Sequence, residues 1–463
     1  MKVKNLTWKH CVGIGIGIGI VVFLYCCTAF YYSKGFVFGT KINGENVSGM
    51  TEEEVIKLFQ NKADDYSLTL KERKGKKEVL SEDQIRAKFE GADEIRQIAE
   101  DQSPFLWIKG LFGGETYDDV TMFSYDEASF ETAYQKLSCM DEEQVIKKEN
   151  AKPVYKDGKF VVQKEEKGTE LDPKRTEEKV KEYITSGIYE LDLEKENCYY
   201  SPKYTSESKE ISKLADEMNE VLKGSITYKF GKQKVVLDKD VYHKWMKIGK
   251  DGISYEIDEN TMENWILDFI YKYNTQYGWH TFKTHDGRTK KIFGGPYGWR
   301  ISKDKEMEAV KKMLKEGTTE TREPYWRQKG KVYDGINGDI GDTYAEVDMS
   351  AQMVYYFKDG KQVFSTPCLT GMMTADRKTP ECVAYVMYKE RSATLVGENY
   401  SSPVKYWMPF VGNVGFHSAS WRNSFGGSIY INDGSHGCVN LPESAAQKLY
   451  SLIEKGDPVV TYY

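Results

Sequence analysis

Histidine is scarce in this chain, with six in 463 residues. Cysteine, at eight, is too sparse for a fold held together by disulfides. Basic excess is missing as well: 65 Lys and Arg face 71 Asp and Glu, and the net charge of −6 makes nucleic acid an unexpected partner. There is no Gly-rich phosphate loop and no Cys-x-x-Cys pair, so neither nucleotide chemistry nor a zinc ribbon is expected. The length leaves room for roughly three domains at about 150 residues each.

Charge is also absent from Cys11 to Tyr32, a run of 22 residues long enough to cross a bilayer as a helix. Lys2, Lys4 and Lys9 precede it. The positive-inside rule then makes residues 1–10 a cytoplasmic tail, 11–32 a transmembrane anchor, and the rest extracytoplasmic. A cleaved signal peptide is the alternative. No Ala-x-Ala site follows the run, and Phe30-Tyr31-Tyr32 suits no peptidase that wants small residues. Phe23-Leu24-Tyr25-Cys26 also lacks the small residue of a lipoprotein signal. A retained single-pass anchor is expected, with Tyr31 and Tyr32 at the interface. Cys139, Cys198, Cys368, Cys382 and Cys438 then lie outside. Five is odd, so one stays free or pairs between chains, and the other four permit three pairings.

Two of the few histidines flank one cysteine. His417 lies 21 residues before Cys438, and His436 two residues before it. Cysteine attacks as thiolate, so a catalytic one needs a base or a positive field nearby. The longer spacing allows a strand, a loop and a return strand, setting an imidazole on one strand against a thiol on the next. A structural cysteine beside incidental histidines is the bland reading. His, His and Cys as three zinc ligands is another.

The full string separates these readings. His417, a spacer of 17 residues from Ser418 to Gly434, and Ser435-His436-Gly437-Cys438-Val439-Asn440 resemble the signature of the L,D-transpeptidases, the YkuD-type cysteine enzymes of bacterial peptidoglycan. The likeness covers residues 341–463. Thr370-Gly371 and Thr379-Pro380 are similar to a TG…TP loop of that family, although Thr379-Pro380-Glu381-Cys382 departs from its Thr-Pro-x-Gly. Tyr406-Trp407-Met408-Pro409-Phe410 resembles the aromatic segment before the first motif histidine, and either lines the groove or packs on the sheet.

The resemblance implies that Cys438 forms a thioester and that His417 is its base, oriented through the backbone of Ser418. It implies that His436 and Ser435 hold the loop, that the Gly437 and Cys438 amides form an oxyanion hole, and that Asn440 buttresses the turn. Tyr406, Trp407, Trp421 and Arg422 are candidates for substrate contact, the guanidinium for a stem-peptide carboxylate. The implied donor is a tetrapeptide stem cleaved after its third residue with loss of D-Ala. The acceptor is the side-chain amine of a neighbouring third residue, giving a 3→3 cross-link. Acylation by carbapenems is implied too, and no metal or organic cofactor.

Upstream, residues 36–39 read as a short strand before a turn at Asn43-Gly44. Thr51 and Glu54 form a capping box ahead of an apolar stripe at Val55, Leu58 and Phe59. This entry resembles the wall-binding domains that accompany YkuD domains. A repeat runs at an offset of 130 residues, pairing Leu171 with Ile301, Asp172 with Ser302, Val180 with Val310 and Ile184 with Leu314. Two peptidoglycan-binding modules, 36–200 and 201–330, are therefore expected before a catalytic domain at 341–463. Asp258–Tyr277 reads as an amphipathic helix. Within the last domain, hairpin strands at 352–357 and 362–365, strands at 383–388, 429–431 and 459–463, and one helix after Pro442 are expected.

The expected fold class is multidomain: a transmembrane helix, α+β repeat modules, and a mainly-β, β-sandwich-like catalytic domain. The repeats are expected to position the enzyme on peptidoglycan and to add little to the chemical step. A carboxypeptidase or endopeptidase would use the same residues with water as acceptor. A sortase would carry an arginine soon after the cysteine, where this chain has Leu441, Pro442 and Glu443.

Overall fold

The computed structural model describes residues 8–118, 120–141, 143–335, 337–397 and 400–463. Lys2, Lys4 and most of the expected cytoplasmic tail at 1–10 lie outside the described residues. Trp8–Tyr32 is one helix of 25 residues. At ~1.5 Å per residue it is about 37 Å long, more than the roughly 30 Å of bilayer hydrocarbon. Among the described residues, Val12–Tyr32 is the one helical stretch long and apolar enough to cross a membrane.

The chain packs as two units, residues 1–152 with 162–211, and residues 153–161 with 212–463. The same module is built in each. In the first unit Ser67–Lys71 pairs antiparallel with Lys77–Ser81 and parallel with Glu190–Asp192. In the second, Ser225–Phe230 pairs antiparallel with Gln233–Leu237 and parallel with Thr319–Arg322. A helix precedes each sheet, Glu52–Asp64 and Lys209–Val221, and another leads into its parallel strand, Pro173–Thr185 and Lys303–Glu316. The repeat thus begins well before the residues from which its offset was read. Val180, Ile184, Val310 and Leu314 are all buried, as apolar residues at helical spacing should be. Asp172 caps its helix by accepting from the Arg175 N–H, whereas Ser302 makes no such bond. The Thr51–Glu54 capping box is present.

Residues 36–39 are not a strand; the first pairing comes at Lys41–Ile42 with Glu45–Asn46. The expected helix from Asp258 is Glu259–Tyr273, with Asp258 as its cap.

Two sheets build the last domain. One has five strands in the order Lys361–Pro367, Met353–Lys358, Tyr344–Asp348, Pro458–Tyr462 and Cys382–Tyr385. The other has four, Glu390–Gly397, Tyr400–Val411, Val414–Ser418 and Val439–Leu441. Val347, Val354, Phe416, Val439 and Leu441 share one core, closed by Ala446 and Leu449 of the helix Glu443–Leu452. Ile429-Tyr430-Ile431, read as a strand, instead lies within a helical turn, Ile429–Asp433. Three β-branched or aromatic residues cannot by themselves distinguish the two.

The hairpin Trp279–Lys283 with Thr289–Phe293 reaches the five-stranded sheet. Phe282, Ile292 and Tyr297 are buried together with Tyr344, Val383, Val460 and Tyr462. His285 donates through its backbone N–H to the fully buried Glu346, and Arg288 meets Asp348 at 3.1 Å. Residues 153–161 and 212–463 form one compact unit.

Candidate active site

Val414–Ser418 and Val439–Leu441 are neighbouring parallel strands, with His417 opposite Asn440. A parallel pair cannot close through a tight turn. The connecting residues 419–438 therefore cross over, and they wall a pocket of about 330 Å³ that includes His417, Cys438, Ser435, His436, Arg422 and Asn440 in its lining. The base and the nucleophile expected from sequence are thus brought to one cavity.

His417 is nearly fully buried, and its Nδ1 lies 2.8 Å from the Ser418 carbonyl oxygen. A carbonyl only accepts, so Nδ1 carries the hydrogen and Nε2 keeps its lone pair. The ring centroid lies 5.9 Å from that of Trp407 and 6.0 Å from that of Trp421. Burial pushes His417 down to about 4, against the opposing pull of the Ser418 carbonyl. Burial also pushes the Cys438 thiol up to about 11, partly offset by the Gly415 backbone. The thiol points to the Asn413 carbonyl at 3.5 Å. At neutral pH the resting pair is therefore a thiol and a neutral imidazole, and not an ion pair.

The cysteine loop is clamped from both sides. Ser435 Oγ donates to the Cys438 carbonyl at 2.5 Å and accepts from the Gly437 N–H at 3.0 Å. Thr379 Oγ1 donates to the Gly437 carbonyl at 2.7 Å and accepts from the Gly371 N–H at 2.9 Å. Gly437 has φ +122°, a region in which any side chain is strained. Leu369 and Asn440 exchange both backbone hydrogen bonds, at 3.0 and 2.9 Å. One expectation changes here: the Gly437 amide, read as an oxyanion donor, is committed to Ser435. Cys382, at the departure from Thr-Pro-x-Gly, begins an edge strand and donates its N–H to Thr461 Oγ1 at 3.0 Å.

The candidate substrate residues scatter. Trp421 is half exposed in the pocket lining. Arg422 also lines the pocket, but its guanidinium is held by Asp433 at 3.1 Å and by the Gly434 carbonyl at 3.3 Å. A stem-peptide carboxylate would compete with that carboxylate. Trp407 is nearly buried, and Tyr406 packs on Tyr450 at 5.6 Å, away from the pocket lining. The Asn440 Oδ1, buried in the wall, has no hydrogen-bond partner among the described residues. Sequence reasoning missed Met372, Arg377, Leu395, Ser402, Asn432 and Asp433, which also line the cavity. Arg377 had a usable signal, being a charge inside the Gly371–Thr379 loop. Among the described residues no cluster of His, Cys, Asp and Glu is arranged to hold a metal ion.

The neutral resting pair predicts a pH profile. Alkylation of Cys438 by iodoacetamide, read on its tryptic peptide, should be slower at pH 7 than for a free thiol of pKa about 8.5 and should climb beyond about pH 9. Acylation by a carbapenem should instead stay flat from about pH 6 to 8 and fall only as His417 gains its proton near 4. An alkylation inflection below pH 7 would show a thiolate–imidazolium pair and overturn this assignment.

A YkuD model, described as the L,D-transpeptidase catalytic domain, matches residues 342–461. A second, described as "Putative peptidoglycan binding domain", matches residues 204–322. Among solved structures, a cysteine-to-serine mutant of the Enterococcus faecium L,D-transpeptidase is 34% identical, covers 53% of this chain and 98% of its own, and has a TM-score of 0.46. The E. faecium catalytic domain acylated by ertapenem is 43% identical over 26% of this chain and 97% of its own, with a TM-score of 0.25. An L,D-transpeptidase from Mycobacterium smegmatis is 25% identical over 26% of this chain and 59% of its own, with a TM-score of 0.24. No curated protein matches. With the catalytic-domain family matched at 342–461, and 98% of the E. faecium enzyme covered at 34% identity, the chain belongs to the L,D-transpeptidases and is an enzyme of that class.

Proposed function

We propose that this enzyme makes 3→3 cross-links in peptidoglycan through a thioester on Cys438, and that Val12–Tyr32 holds it at the outer face of the cell membrane as a single-pass anchor. The observation that carries the chemistry is one pocket lined by both Cys438 and a His417 whose tautomer leaves Nε2 as an acceptor.

The steps balance as follows. Cys438 Sγ attacks the carbonyl of the third stem residue while its proton passes to His417 Nε2. Breakdown of the tetrahedral intermediate expels D-Ala, whose amine takes that proton, and leaves the thioester. The acceptor amine then attacks the thioester carbonyl and gives a proton to His417. The thiolate leaves and regains that proton as the cross-link forms. The buried pair favours its neutral state, so charge develops only once substrate fills the pocket and replaces water. The peptidoglycan-binding module at 204–322 would raise the local concentration of stems without touching the reacting bond.

The test is mass spectrometry of muropeptides made from purified tetrapeptide stems by the full chain. A dimer lacking one D-Ala, joined through the third residues, is expected. Tripeptide without dimer would assign the enzyme to hydrolysis, and no loss of D-Ala would end the proposal. For the anchor, the full-length mass should be recovered in the membrane fraction. A soluble form beginning near Ser33 would identify a cleaved signal instead.

A further inference from the structure

One surface of the first unit is unlike the rest of it. Pro104–Phe112, a 3-10 stretch, exposes Phe105, Leu106, Ile108, Leu111 and Phe112, the last two at 61% and 88%. Five large apolar side chains within nine residues form a contiguous patch of the kind that soluble surfaces avoid. The stretch has no acidic residue, and Lys109 is its one charge.

The patch is fixed in place. Phe38 and Gly39 follow the apolar helix, and Gly110 is seated on them so closely that a Cβ there would lie 2.0 Å from the Phe38 carbonyl oxygen. Tyr25 of the helix donates its hydroxyl to the Phe105 carbonyl, and its ring lies 5.7 Å from that of Trp107. Tyr25 is about 10 Å of helix axis inward from Tyr32, at ~1.5 Å per residue. Interfacial segments bury their apolar faces to a depth of about 5–10 Å. The contact with Tyr25 therefore puts the patch at the level where headgroups give way to acyl chains, with Trp107, Tyr31 and Tyr32 as an aromatic girdle.

We infer that residues 104–112 are a membrane-inserting segment that lies in the outer leaflet beside the anchor, with Phe105, Leu111 and Phe112 among the acyl chains and the charge of Lys109 balanced by Glu115 at 3.3 Å. The occupant of the patch is lipid, because the patch is held through Tyr25 against an apolar helix that itself exposes Phe23, Leu24 and Phe30. The inference rests on reading Val12–Tyr32 as a retained anchor. A single helix leaves the attached unit free to swivel, whereas a second contact with the bilayer sets its tilt and its height above the membrane.

The experiment uses the full chain in vesicles of phosphatidylglycerol and phosphatidylethanolamine containing a phospholipid with a diazirine in its acyl chain. After irradiation, lipid adducts are mapped by peptide mass spectrometry. Adducts on both 12–32 and 104–112 are expected, with none on exposed apolar residues such as Val236 or Tyr271. The double variant Leu111→Asp, Phe112→Asp alters only exposed side chains. It should lose the adducts on 104–112, keep those on 12–32, and keep an unchanged circular dichroism spectrum. Adducts on 12–32 alone would overturn the inference and leave the anchor standing; chain-to-chain cross-links through 104–112 in that case would give the patch to a second copy. Adducts on neither segment would overturn both readings.

Discussion

Cys438→Ala should lower transpeptidation and carbapenem acylation by roughly five orders of magnitude or more, the scale on which removal of a hydrolase nucleophile acts. The fold should survive the change. Cys438 is partly exposed to the pocket, its thiol makes a 3.5 Å contact with the Asn413 carbonyl, and loss of one sulfur there should cost about 1 kcal/mol. The loop that carries it is held by Ser435, Thr379 and backbone partners, none of which the substitution touches. Intact-mass measurement after incubation with a carbapenem is the check. A variant that still gained the mass of the drug on a peptide outside the apolar helix, which carries the exposed Cys26 and Cys27, would remove Cys438 from its role.

The second large effect concerns stability. Phe282 is fully buried between the hairpin and the five-stranded sheet, so Phe282→Ala should destabilise the unit by about 3–5 kcal/mol. That is a large share of a typical domain's total stability. A fragment beginning at residue 331 loses the whole hairpin. It would leave Tyr344, Val460 and Tyr462 in water and deprive Glu346 of its bonds from His285. A fragment beginning at 275 keeps these contacts. We expect its thermal midpoint to exceed that of the 331 fragment by about 10 °C or more. Equal midpoints would show that the hairpin only rests on the sheet. The acylation rates of the two fragments should agree within about tenfold, because among the described residues none before 331 lines the pocket. A loss of about 100-fold in a still-folded short fragment would place the hairpin in the chemical step.

The candidate dyad was legible because the motif is local in sequence at each end, and strand pairing does the rest. His417 and Cys438 need only adjacent strands to meet, and a short apolar alternation on each side announces those strands. The helices of the repeats were legible through caps and apolar spacing at Val180, Ile184, Val310 and Leu314. The docking of Phe282 and Ile292 was not. Alternate burial along Trp279–Lys283 reveals that one face is covered, but periodicity is silent about what covers it. The commitment of the Gly437 amide to Ser435 and of Arg422 to Asp433 escaped for a related reason. Hydrogen bonds within an irregular crossover follow no period, and residues 11 apart carry no expectation of contact. The turn Ile429–Asp433 is a case where composition favoured strand and the crossover geometry overrode it.

The raised thiol of Cys438, partly exposed though it is, has a consequence for how it rests. With a thiol held at about 11, on the order of one molecule in ten thousand carries thiolate at pH 7. Thiolates, not thiols, attack peroxides and disulfides, so this sulfur is slow to form sulfenic acid or a mixed disulfide. Burial raises Cys139, Cys198, Cys368 and Cys382 in the same direction. The proposed nucleophile is thereby slow to oxidise while it rests as a thiol.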